Sequence, residues 1–134
     1  MTWEELFNTI RSKFKTLIAD EYSLPTQYDN HNLADQKDLW CRLKITTGDT
    51  FQADCGGASG SRDRTVGAIT AELKIPVGKG DKKLLQMAGN IKTAFNRKNH
   101  DGVRFKTASI KRIGRVNNEW QINVNCPFYA DDIS

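Results

Sequence analysis

The sequence predicts an α+β domain: a mixed or antiparallel β-sheet with two α-helices packed on one face and a long glycine-rich loop. Three observations predict it. Apolar residues recur at helical spacing in residues 3–18 and 81–95, and they alternate with polar ones in three extended runs. The chain order is helix, strand, long loop, strand, helix, hairpin. The 134 residues suit one domain, spanning 1–134, which is large enough to bury a core without a disulfide or a metal.

In the first helix, Trp3, Leu6, Phe7, Ile10, Phe14, Leu17 and Ile18 make one apolar face. Thr2 and Glu5 have capping-box spacing. Residues 21–38 are polar, and Pro25 stops any continuation, so they read as a surface connection. In residues 39–46, Leu39, Cys41, Leu43 and Ile45 alternate with Trp40, Arg42 and Lys44, as in a half-buried strand. Residues 47–64 read as the long loop, with Gly48, Gly56, Gly57 and Gly60 set among Asp49, Asp54 and Asp63. Residues 64–77 return to alternation through Ile69, Ala71, Leu73, Ile75 and Val77, and Pro76 and Gly78 end the strand.

Asp81 is the expected N-cap of a second helix with apolar positions Leu84, Leu85, Ala88, Ile91 and Phe95. Residues 99–102 carry its stop signal. A further extended run leads from Val103 to Val116, and Asn117-Asn118 makes a tight turn, because asparagine tolerates positive φ. The returning strand alternates Trp120, Ile122, Val124, Cys126 and Phe128 with Gln121, Asn123 and Asn125. The latter three form a polar, uncharged stripe, either a solvated face or a surface that meets another subunit.

Composition excludes several classes. No apolar run reaches the ~20 residues that span a bilayer. The opening residues are acidic and amphipathic where a signal peptide is basic and then apolar, so secretion is not expected. Cys41, Cys55 and Cys126 are widely spaced and make no CxxC pair, and His31 and His100 lie far apart, so no metal site is expected. The glycines at 56–60 lack both GK[ST] and GxGxxG, which leaves no expected cofactor. Cys55 has no partner base signalled nearby, and Asp131-Asp132 reads as a solvated acidic tail. Catalytic residues are therefore expected to be absent, and the chain is not expected to be an enzyme.

Charge is uneven. Residues 74–115 hold twelve basic and two acidic side chains, whereas residues 1–40 hold four basic and seven acidic, and residues 116–134 hold three acidic and none basic. Two readings stay open. Basic segments attract nucleic-acid phosphates; equally, acidic and basic surfaces complement one another within a domain or between copies. The lack of aromatic interleaving in the basic stretch favours the second.

The layout resembles that of the tail terminator (tail completion) proteins of long-tailed bacteriophages, over nearly the whole chain. The most specific pieces are R-x-x-G at Arg64 to Gly67, I-P-V-G-x-G at Ile75 to Gly80, and P-F-Y-A-D at Pro127 to Asp131. The resemblance implies a structural virion protein that forms a homohexameric ring on the tail tube. Such a ring ends tube polymerisation and presents the surface that joins the head. Its partners would be further copies of itself, the tail tube protein and a head-completion or neck protein. Non-specific contact with passing DNA is also implied, and no membrane partner. The protein would reside in the virion neck after assembly in the host cytoplasm. Subunit or tube contacts are expected at Asp54, Arg62, Asp63 and Arg64 of the loop and at Gln121, Asn123 and Asn125 of the last strand. Another connector or tube protein, or a nucleic-acid-binding module, remains an alternative.

Overall fold

A computed structural model describes residues 1–34, 36–52 and 63–133. Helix α1 spans Trp3–Phe14 and continues through a π-helical turn, Lys15–Ala19. Thr2 caps it as expected, its hydroxyl accepting a hydrogen bond from the Glu5 amide at 3.1 Å. Leu6, Ile10, Phe14 and Ile18 are fully buried, whereas Trp3, on the first turn, stays exposed.

Seven strands form one curled, mixed sheet: β1 Thr26–Gln27, β2 Trp40–Gln52, β3 Asp63–Pro76, β4 Asn99–His100, β5 Val103–Phe105, β6 Ser109–Val116 and β7 Glu119–Asp131. The order across it is β1-β2-β3-β7-β5-β4, and β6 also pairs with β7. Among the described residues only the β1–β2 pair is parallel. Helix α2, Lys82–Phe95, crosses the sheet between β3 and β4 in chain order. Both helices cover one face. The register explains why: Cys41, Leu73 and Ile122 lie in one row and Leu43, Ala71 and Val124 in the next, all buried, while Arg42, Glu72 and Asn123 alternate to the other side. Each fully buried Leu, Ile or Phe side chain here contributes about 1.5–3 kcal/mol relative to leaving it in water.

Four expectations are corrected. Of the loop expected over residues 47–64, residues 47–52 continue β2 and residues 63–64 open β3, while residues 53–62 lie outside those described. Strand pairing across a register shift between Thr47 and Thr50 overrides the turn-forming composition. The 21–38 connection contains β1, which pairs with β2. Asp81 precedes α2 but makes no side-chain cap; its carboxylate instead meets Arg112 at 3.5 Å. On α2, Met87 rather than Leu85 faces the core. The turn at 117–118 is as expected, with Asn117 at φ +57°.

Candidate interaction surfaces

The segments Arg64 to Gly67 and Pro127 to Asp131, distant in sequence, lie side by side on β3 and β7. Arg64 donates to both Asp131 carboxylate oxygens, at 2.8 and 3.3 Å, in a two-pronged pair. Its guanidinium also covers the Tyr129 ring at 4.1 Å from the centroid. Three residues on, Gly67 pairs with Phe128. A β-carbon at Gly67 would stand 2.7 Å from the Phe128 ring and collide with the Thr46 carbonyl, so this strand position admits only glycine without rearrangement. The third segment, Ile75 to Gly80, ends β3 and turns through Gly78 and Gly80 at φ +96° and +77°.

Of the expected contact residues, Asp54 and Arg62 lie outside the described residues. Asp63 is tied to the chain end, its carbonyl accepting from the Asp132 amide at 2.7 Å and its amide donating to the Asp132 carboxylate at 3.1 Å. Arg64 is engaged by Asp131 within the same chain. The Gln121, Asn123 and Asn125 stripe differs along its length. Gln121 is buried, donating to Asn123 at 2.8 Å and to Glu72 at 3.4 Å, while Asn125 is exposed and donates to Thr70 at 3.1 Å. Glu72 draws Lys44 to 3.5 Å and Arg42 to 3.9 Å, so the open face of the sheet is a linked polar network rather than a row of solvated amides.

Among the described residues the outermost strands are β1 on one side and β4 and β6 on the other, and the segments that carry β1 and β6 differ in charge. Strand β6 pairs only with β7 among the described residues. It exposes Ile110, Ile113 and Val116 together with Lys111, Arg112 and Arg115. Its outer row of backbone groups is kept irregular by a bulge between Arg112 and Gly114, with Gly114 at φ +95°. On the opposite side, β1 sits in a segment whose described acidic side chains are Asp20, Glu21, Asp29 and Asp38, beside one lysine. Asp29 accepts from the Ile45 amide at 3.0 Å and Asp38 pairs with Lys83 at 3.1 Å. The charge asymmetry is legible in the sequence but its placement is not, because only the strand pairing puts β1 and β6 on opposite sides of the β2, β3 and β7 strands.

A second cationic surface surrounds Tyr129. Arg97, Lys98, Arg104 and Lys106 line a concavity of about 340 Å³ with that ring. It lies over a buried aromatic cluster in which Phe95, Phe105 and Phe128 meet at centroid distances of 5.1 and 5.8 Å.

The described thiols are chemically quiet. Cys41 and Cys126 are buried and free. Burial, and next the charge of Glu72, pushes the Cys41 thiol far up, and burial pushes Cys126 up to about 11, so neither supplies a thiolate near neutral pH. Cys55 lies outside the described residues. Among the described residues no group of three His, Cys, Asp or Glu side chains is placed to hold a metal, and no helix is long and apolar enough to cross a membrane.

The chain matches no described protein family, and no characterised protein matches it in sequence. A solved structure shares the fold, with a TM-score of 0.66 over 95% of this chain and 96% of its own, at 15% identity. At that identity the likeness establishes the architecture alone.

Proposed function

We propose that this protein is a structural virion subunit, a tail terminator that closes a ring of six on the tail tube, ends tube polymerisation and offers the surface to which the head joins. The observation that carries this reading is the pair of unlike sheet edges, basic and apolar at β6 and acidic around β1. A subunit whose two ends complement each other associates head-to-tail, and such contacts generate rings when the rotation closes. Exposed Ile110, Ile113 and Val116 supply the apolar centre that a stable contact requires. The resemblance of residues 64–67, 75–80 and 127–131 to tail terminators supplies the biological setting. In it the protein acts in the virion neck after assembly in the host cytoplasm, with the tube protein and a head-completion protein as partners.

Omitting the protein from phage assembly tests this. Overlong tubes and unjoined heads are expected. Tails of normal length joined to heads would overturn the reading, and a complete lack of tubes would mark a tube subunit instead.

A further inference from the structure

We propose that the surface around Tyr129 binds the phosphate backbone of nucleic acid without regard to base sequence. Arg97, Lys98, Arg104 and Lys106 are all exposed, and none pairs with a carboxylate among the described residues. Arg104 and Lys106 stand 5.9 and 5.7 Å from the Tyr129 ring centroid, which Arg64, neutralised by Asp131, also covers. Four uncompensated cations around one concavity repel each other, a cost that an anionic ligand removes.

The frame that holds them is preformed. The Arg97 amide donates to the Lys106 carbonyl at 3.0 Å, the Phe105 amide to the Lys98 carbonyl at 2.8 Å, and the Lys106 amide to the Pro127 carbonyl at 2.8 Å. The cations therefore spread along a tied backbone in the absence of ligand, as a repeating line of phosphates requires. An acidic protein patch fits less well. Protein interfaces are poor in lysine and have an apolar centre. Among the described residues no exposed large apolar side chain lines the concavity; Phe51 pairs with Arg64 beside it, and three others lie on β6. The phenylalanines of the basic stretch, Phe95 and Phe105, are buried, and the half-buried aromatic ring at this surface is Tyr129, which arrives from β7, paired with Arg104 of β5. The inference assigns to named residues the non-specific DNA contact that the tail-terminator reading implies, and its test reads the chemistry of this surface separately from tail capping.

The test is fluorescence anisotropy of a short labelled DNA duplex with the full-length protein across a range of salt concentrations. Four phosphate contacts predict a slope of log K against log salt of about −3.6, equal for duplexes of different sequence. The variant Lys98→Gln/Arg104→Gln/Lys106→Gln changes only exposed side chains, and its slope is expected to fall to about −0.9. The control Lys111→Gln/Arg112→Gln/Arg115→Gln removes the same charge from β6 and is expected to keep the wild-type slope. Equal losses in both variants would reduce the effect to net charge and overturn the proposal. Failure of the wild type to bind, selection of one sequence, or tighter binding of labelled polyglutamate than of duplex would overturn it as well.

Discussion

At the residue scale, Gly67 is the described glycine where an added β-carbon meets the closest neighbours. Phe128 lies across it from the neighbouring strand, and the ring fills the space a side chain would occupy. Gly67→Ala forces β2, β3 or the Phe128 ring to shift, and overpacking of this kind costs about 1–3 kcal/mol. Urea denaturation at unchanged m-value checks it, and a loss under about 0.5 kcal/mol would mean that the strands yield freely. The R-x-x-G and P-F-Y-A-D segments were visible in the sequence as separate pieces. Their joint purpose was not, because the Arg64–Asp131 pair and the Gly67–Phe128 contact join residues more than sixty positions apart.

At the element scale, local chemistry made much legible. The Thr2 cap, the Asn117 turn and the alternation of Ile122, Val124, Cys126 and Phe128 all have local causes, and each is found where those causes put it. The far end of β2 was not legible, whereas β3 lies within one residue of its expected 64–77 span. Residues 47–52 are rich in turn formers, and what makes them a strand is pairing with residues 63–67. For Gln121 the sequence leaves open a solvated face or a subunit contact, because alternation marks a side of the sheet but not what that side touches; the side chain donates instead to Glu72 and Asn123 of its own chain. Strand β6 carries the element-scale prediction. Ile110→Lys/Ile113→Lys alters two exposed positions, so stability is expected to stay within about 1 kcal/mol of wild type. Subunit association on tail tubes is expected to fail, as read by co-sedimentation with tubes. Undiminished co-sedimentation would remove β6 from the interface.

At the scale of the whole molecule, one sheet carries several chemically distinct surfaces. The helices bury one face, the β1 and β6 edges carry opposite charge, and a basic concavity lies around Tyr129. A ring subunit threaded by nucleic acid needs such a division: two edges for its neighbours and a cationic surface for phosphates. The most direct measurement is electron microscopy of tail tubes mixed with the purified protein. The account predicts a sixfold ring of about 91 kDa, from six copies of 15.1 kDa, at one end of each tube, with β6 of every copy against the β1 side of the next. Bare tube ends, or copies spread along the tube wall, would contradict it.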